Sequence, residues 1–212
     1  MQSEKRSDSL ARQVLQSVVE GGLVPLLAIL TAMIIGGIII AMVGGDPFLA
    51  YLGLIEGSLG SNKALSETAV WATPYIFAGL AVALAFKGGL FNIGAEGQLA
   101  VGAVFSSLMG YALPEWLGFD LPAYIHLPLA VLFGAAMGGL WAGIVGILKA
   151  YTGGHEVINT IMMNYIALNT TSFLLNGVMK DHSPNNVSAR TPLIAESARI
   201  PAIFEGLRVH WG

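Results

Sequence analysis

The sequence predicts an all-α integral membrane protein, a polytopic helical bundle with about five membrane segments. Of its 212 residues, 55% are hydrophobic and 11% are charged, whereas about 25% of the residues of soluble domains are charged. The mean hydropathy is +0.70, and the apolar residues form long blocks that contain few charges. A water-soluble helix with one polar face does not tolerate such blocks, so lipid is the expected environment.

The composition also excludes several classes of function. The chain has no cysteine, which excludes disulfide frameworks, thiolate metal sites and cysteine nucleophiles. The net charge is −3 and no basic face is visible, so no nucleic-acid partner is expected. The 27 glycines exceed what loops need and are typical of membrane helices that pack backbone to backbone.

The first membrane segment follows a polar N-terminus. Residues 1–22 place Leu10, Val14 and Val18 at four-residue spacing, which predicts an amphipathic cytoplasmic segment at the membrane surface. Residues 23–43 contain no charge, and about 21 residues at about 1.5 Å each cover roughly 31 Å, the thickness of the hydrocarbon layer. This segment is predicted to span the membrane and to be retained.

Four further apolar segments follow. Residues 70–86 carry Pro74 near their start, where a missing amide proton does little harm. Residues 90–113 are interrupted by polar side chains and glycines, which predicts a broken or kinked membrane helix. The last two segments are residues 125–148 and 157–178. In the former, small residues that let a neighbouring helix approach are expected at Gly134, Gly138, Gly139 and Gly143.

Basic residues near the spans set the expected orientation, because cytoplasmic loops carry an excess of lysine and arginine. With a cytoplasmic N-terminus, only Lys63 lies in an outer loop between spans, and the inner segments hold Lys5, Arg6, Arg12, Lys87 and Lys149. The sequence thus predicts a transmembrane region over residues 23–178 and an extracytoplasmic segment over residues 179–212. Because this last segment is polar and builds no evident core, we expect the chain to be a truncated piece of a longer protein.

A His-Glu pair after a double glycine raises the question of a metal site. A zinc protease helix reads H-E-x-x-H, but the second histidine position is Asn159 here, and an amide binds zinc poorly. Two other interpretations stay open for residues 151–160. One is a polar surface turn, and the other is a short cytoplasmic coupling helix that presents a knob to a partner protein. Its polar side would carry His155, Glu156, Asn159 and Thr160.

Polar groups inside the third and fifth segments are candidates for a substrate path. An ionised acid in the membrane costs on the order of 2.5–3.5 kcal/mol, so these groups should face protein or water. Asn92 and Glu96 share a helical face, whereas Gln98 points elsewhere unless the backbone unwinds. Contact with a neutral, hydroxyl-rich solute and hydrogen bonds between helices both stay open as roles. The candidates are Asn92, Glu96, Gln98, Asn164, Ser172 and Asn176.

Two strings resemble a known family. "GGHEVINTIMMNYIALN" is similar to the cytoplasmic coupling segment of permease subunits in ABC importers of the branched-chain amino acid, simple-sugar and nucleoside type. "GLFNIGAEGQ" is similar to a signature of the nucleoside and simple-sugar branch. The resemblance implies a bacterial plasma membrane permease that works by alternating access. It further implies that motion is transmitted from an ATPase by Gly153, Gly154, His155, Glu156, Asn159 and Thr160.

The resemblance also implies partners: ABC ATPase subunits that bind the ATP, a second permease subunit, an extracytoplasmic solute-binding protein and the lipid bilayer. No catalytic residue, metal or cofactor is expected in this chain itself. The alternatives are an ion-coupled secondary transporter and a membrane-embedded metalloenzyme. The first should show more intramembrane carboxylates than Glu96 and two related halves. The second needs metal ligands or a nucleophile and base that face one cavity.

Overall fold

The computed structural model describes residues 19–184, 186–204 and 206–211, and these residues are predominantly helical. A π-helical turn, Val19–Leu23, precedes the first α-helix, and a 3₁₀ turn, Glu196–Ala198, lies in the C-terminal tail. In the described ranges there is no strand beyond an isolated antiparallel bridge between Ala202 and His210. The six α-helices are α1 Val24–Met42, α2 Pro47–Leu59, α3 Asn62–Lys87, α4 Ala95–Leu117, α5 Ala123–Thr152 and α6 Glu156–Asn176.

The predicted all-α membrane class is confirmed. Among the described residues, three helices are long and apolar enough to cross a membrane, namely Gly21–Met42, Asn62–Lys87 and Ala123–Thr152. Helices α4 and α6 have 23 and 21 residues, which at about 1.5 Å per residue also gives a membrane-spanning length. They are more polar because they carry the amides and hydroxyls described below. The amphipathic segment predicted over residues 1–22 lies almost wholly outside the described residues.

The chain divides into two compact units, and the first is Met1–Leu65. Within it, α1 and α2 pack together, and the Tyr51 hydroxyl of α2 donates to the Met33 carbonyl of α1. Asp46 caps α2, because its Oδ1 accepts from the amides of Phe48 at 2.8 Å and Leu49 at 3.2 Å. The sequence analysis did not predict α2, a 13-residue apolar helix too short to span a bilayer upright.

In the second unit, Ser66–Gly212, α4 lies at the centre and packs against α5 and α6. The contact with α5 depends on glycines. A Cβ on Gly134 would lie 2.7 Å from the Gly102 carbonyl oxygen, and one on Gly138 would lie 2.9 Å from the Gln98 carbonyl oxygen. Gly139 and Gly143 have no neighbour within 4 Å of such a Cβ, because successive residues are rotated by about 100° on a helix. Within the described residues, the close approach to α4 is made at Gly134 and Gly138, and packing at Gly139 and Gly143 stays a prediction.

The interruption expected within residues 90–113 lies at the start of that segment. Residues 88–94 are not helical, and Gly89 has a φ of +74°, whereas α4 is continuous from Ala95 onward. The helix therefore is not broken internally. Its polar and glycine-rich first residues form an irregular connection that precedes it.

Candidate functional site

The connection between α5 and α6 is a turn of three residues, 153–155, and not a helix of its own. Gly153 ends α5 in the left-handed conformation, with φ +65°, and its amide donates to the Lys149 carbonyl at 3.1 Å. His155 then occupies the N-cap of α6. The predicted short coupling helix is instead the first turns of α6, because neither glycine nor proline interrupts residues 156–176.

Three of the predicted coupling residues, Gly153, Gly154 and His155, form this turn, and Asn159 of α6 packs against it. Gly154 donates to Thr152 Oγ1 at 3.3 Å, and a Cβ on it would approach the Asn159 side chain to 3.0 Å. His155 is exposed and Asn159 is partly buried. The His155 imidazole is therefore exposed at the turn, and the side-chain amide of Asn159 packs against Gly154.

An ion pair that was not predicted from the sequence stabilises the turn. Lys149 Nζ lies 2.6 Å from Glu156 Oε2, so the last turn of α5 is tied to the first turn of α6. The side chains are 38% and 20% exposed. Spacing gave no signal, because the two residues are seven apart and meet only once the glycines reverse the chain. Position 156 is also at a helix N-terminus, where the helix dipole favours a carboxylate.

Residues 90–94 and the start of α4 form an amide cluster. Asn92 Oδ1 accepts from the Gly94 amide at 2.8 Å and from Gln98 Nε2 at 3.2 Å, and Asn92 Nδ2 lies 3.4 Å from Gln98 Oε1. The prediction that Asn92 and Glu96 share a helical face is therefore wrong, because the backbone is not helical until after Gly94. Glu96 is exposed.

Two side chains of α6 hold this irregular backbone. Asn164 donates through Nδ2 to the Ile93 carbonyl at 2.9 Å and accepts through Oδ1 from the Gly97 amide at 2.9 Å. Thr160 Oγ1 lies 3.4 Å from the Ile93 amide and donates to the Val157 carbonyl at 3.0 Å. Thr160 is buried, at 3% exposure. It therefore faces α4, whereas the sequence analysis predicts it on the wet side of the turn.

The remaining candidates on α6 do not join the cluster. Ser172 and Asn176 are exposed, and Asn176 Nδ2 donates back to the Ser172 carbonyl at 2.9 Å. Each four-residue step advances about 40° around a helix, so Ser172 lies about 120° from Thr160. The buried positions of α6 are instead Thr160, Ala167 and Thr171.

Three cavities border these elements. A cavity of about 150 Å³ lies beside the amide cluster and is lined by Asn92, Gln98, Lys149, Glu156 and Thr160 with apolar neighbours. A larger one, of about 440 Å³, lies between α3, α4 and α5, and its only polar side chains are those of Gln98 and Ser106. A third, of about 540 Å³, lies between α4, α5 and the tail. The cavity with the most polar side chains, the one beside the amide cluster, is also the smallest of the three, below the roughly 300–1,000 Å³ of typical ligand pockets.

The tail covers the opposite end of the second unit. His126 at the start of α5 is fully buried, with Nε2 3.0 Å from the Met109 carbonyl oxygen and Nδ1 2.8 Å from Ser197 Oγ. Arg208 pairs with Glu67 at 2.8 Å. Elsewhere in the tail the Ser183 amide donates to Asp181 Oδ1 at 3.0 Å, which together with Arg190 holds the pKa of Asp181 below its usual value.

A metal site has no candidate in the part of the chain that the structure describes. Within it, no three histidine or carboxylate side chains come together in a way that could hold an ion.

Three relatives of this chain among known proteins are permease proteins of ABC transporters. A guanosine ABC transporter permease protein of Bacillus subtilis is 44% identical over 192 residues, which are 90% of this chain and 53% of that protein. A nucleoside ABC transporter permease protein of Lactococcus lactis is 37% identical over 83% of this chain and 47% of its own. A glucose ABC transporter permease protein of Haloferax volcanii is 38% identical over 76% of this chain and 41% of its own.

The chain thus spans about half the length of the curated relatives it matches. No solved structure matches it significantly. Residues 64–207, well over half of the chain, match the family described as the permease component of the branched-chain amino acid transport system. The amide cluster and the turn between α5 and α6 both fall within the matched range. The chain therefore belongs to this permease family of membrane proteins.

Proposed function

We propose that the chain forms part of the permease subunit of an ATP-driven ABC importer that moves a nucleoside across the bacterial plasma membrane. The observation that carries the proposal is the 44% identity with a guanosine permease over 90% of the chain. A simple sugar is the second candidate solute, because a glucose permease is 38% identical over 76% of the chain. The solute is moved by alternating access and is not changed chemically.

The 153–155 turn and the start of α6 are proposed to dock on a separate ATPase subunit. A force applied to an exposed turn is transmitted to the two long helices that it joins, because the turn cannot move unless they move. The support is the left-handed Gly153, the exposed His155 and the ion pair between Lys149 and Glu156. Docking is assigned to Gly153, Gly154, His155, Glu156 and Asn159.

This assignment fixes the proposed orientation. The turn lies in the cytoplasm, so the N-terminus is also cytoplasmic and the tail of residues 179–212 is extracytoplasmic. The distribution of lysine and arginine supports this orientation. A second permease subunit completes the path, and a solute-binding protein delivers the solute on the side of the tail.

We propose a smaller set of residues for the solute path. Asn92, Gln98 and Asn164 use their hydrogen-bonding groups on each other and on backbone. We therefore propose a structural role for these three. Glu96, Ser172 and Asn176 are exposed and remain candidates for the face that meets the solute or the second permease subunit.

Uptake of radiolabelled guanosine tests the function. Deletion of the permease in its native cells should abolish uptake, and re-expression should restore it. Unlabelled nucleosides should compete better than glucose. Uptake should persist when the proton gradient is collapsed while cellular ATP is maintained. Uptake that disappears with the gradient at constant ATP contradicts the proposal and favours an ion-coupled transporter.

The coupling assignment has its own test. Glu156→Ala removes the ion pair with Lys149 and should lower uptake at least fivefold with normal membrane insertion. The matched control is Glu196→Ala, another glutamate, which lies exposed in the tail and should leave uptake unchanged. If Glu156→Ala retains both ATPase association and full uptake, the turn is not the docking element.

A further inference from the structure

We propose that Asn164, assisted by Thr160, passes the movement of α6 directly to the start of α4, so that these two helices move as one body. The inference rests on the proposed function, because it presupposes a motor that pushes on the 153–155 turn. It assigns Asn164 as a positioning residue and removes it from the solute path.

Helix α6 supplies a cap that α4 itself lacks. The first amides of a helix have no partner within the helix and usually bond to a side chain at the N-cap. Here the N-cap is Gly94, which has no side chain. The amide of Gly97, the third residue of α4, instead donates to Asn164 Oδ1 at 2.9 Å. The N-terminus of α4 is therefore completed by a residue 67 positions later.

The side chain of Asn164 bonds to the backbone on both sides of the junction between residues 88–94 and α4. The Asn164 amide nitrogen donates to the Ile93 carbonyl before α4 begins, while its oxygen binds Gly97 inside α4. Thr160, one turn earlier on α6, lies 3.4 Å from the Ile93 amide. A displacement of α6 along or across its axis breaks these bonds unless α4 follows.

The backbones of α4 and α6 approach each other closely at Gly97. A Cβ on Gly97 would lie 3.0 Å from Asn164 Cα and 3.0 Å from Ala167 Cβ. Ala167 is fully buried. The space between the helices is filled, so side chains cannot rearrange to absorb a push.

A non-helical connection precedes α4. Residues 88–94 connect α3 to α4 without helix, and Gly89 has a φ of +74° with no atom within 4 Å of the position that a Cβ would take. We therefore expect α4 and α6 to shift together relative to α3, with the backbone change taken up at Gly88 and Gly89.

Substitution of Asn164 in the native transporter complex gives the first test. Asn164→Leu keeps the number and branching of the side-chain heavy atoms and removes both hydrogen bonds. Uptake per ATP hydrolysed should fall at least tenfold, while ATPase association and the hydrolysis rate stay within twofold. The control is Asn169→Leu on the same helix, because Asn169 donates only to the Tyr165 carbonyl. It should leave uptake per ATP unchanged.

Spin-label distances in the complex that keeps Asn164 give a test that does not depend on the folding of a variant at that position. The chain has no cysteine, so labels can be placed at Leu84 in α3, Leu99 in α4 and Met162 in α6, all exposed. On ATP binding, the distance between Leu99 and Met162 should stay constant while the distance between Leu84 and Met162 changes. In Asn164→Leu the first distance should become nucleotide-dependent.

The outcomes separate this inference from the proposed function. Wild-type complex without ATP-dependent uptake refutes the proposed function itself. Normal uptake together with a nucleotide-dependent distance between Leu99 and Met162 overturns the inference alone. The same holds if Asn164→Leu leaves uptake per ATP at the wild-type value, or if neither distance responds to ATP while transport proceeds.

Discussion

At one end of the second unit, side chains of α6 hold the backbone of α4, whereas at the other end a non-helical tail holds the helices. We call these the turn end, with residues 90–97 and 153–164, and the tail end, with His126 and the described residues between 179 and 211. At the turn end the bonds run from Asn164 and Thr160 to backbone groups beside exposed surface. At the tail end the central group is His126, which has no exposed surface.

This difference shows how each end is expected to respond to force. Helices that bond directly to each other move together, and the turn end is built in this way. A tail that is anchored on a buried imidazole forms a cap that either stays closed or opens as a whole. Because a carbonyl oxygen only accepts, His126 Nε2 carries the proton that is donated to Met109, and in the neutral ring Nδ1 accepts from Ser197.

Removal of the His126 imidazole should produce the largest difference in stability between the tail end and the turn end. His126→Ala leaves a cavity and strands the Met109 carbonyl and the Ser197 hydroxyl, so we expect a loss of about 2–5 kcal/mol from the local free energy of opening. The tail should become sensitive to trypsin at Arg190 and Arg199, and its amides should exchange faster with solvent. The turn end should keep its exchange protection.

The exposed His182 of the tail provides the control for this variant. His182→Ala should leave trypsin sensitivity unchanged. If His126→Ala loosens residues 90–94 as much as the tail, the two ends are not independent and the comparison fails.

A methyl group at Gly97 should have the next largest effect. Gly97→Ala brings a Cβ to 2.8 Å from Asn164 Oδ1 and 3.0 Å from the Asn164 Cα, so one helix must move. Overpacking of this kind costs about 1–3 kcal/mol, and the loss should appear in thermal unfolding of the purified protein in detergent.

Gly139→Ala is the matched variant in α5, because no atom lies within 4 Å of its Cβ. It should be neutral or stabilise the helix by about 0.4–1 kcal/mol. Equal destabilisation by Gly97→Ala and Gly139→Ala would show that close packing at Gly97 makes no particular contribution to stability.

The helices were predictable from sequence because lipid exposure imposes long apolar blocks that composition alone reveals. Helix α2 was not predictable in this way, because its 13 residues are too few to span a membrane. The turn that precedes it was the one sequence feature that indicated a helix start. The irregular backbone at residues 88–94 was predicted inside the helix, because glycines and polar residues mark a helix start as readily as a kink.

The site was less predictable because its contacts join distant parts of the chain. The pairing of Asn92 with Gln98 required knowledge that Asn92 precedes the helix, and the cap from Asn164 to Gly97 spans 67 residues. The ion pair of Lys149 with Glu156 depends on the reversal at Gly153. Helical spacing identifies the residues of one face but not the partner helix.

The smallest effect is expected at the surface of the tail end. Arg208→Ala removes an ion pair with Glu67 whose side chains are 64% and 32% exposed, so it should cost less than about 1 kcal/mol and even less in high salt. The backbone bonds survive, because the amides of Arg208 and Val209 still donate to the buried Ser66 hydroxyl at 3.1 Å each.

Ser66→Ala makes the complementary change, since it keeps the ion pair and strands both amides. It should destabilise the tail more than Arg208→Ala does, by about 1–3 kcal/mol, and the effect should not depend on salt. Amide exchange of residues 206–211 measures both variants. A larger, salt-sensitive loss in Arg208→Ala would mean that charge anchors the tail, and the contrast between a buried tail end and a more exposed turn end would then weaken.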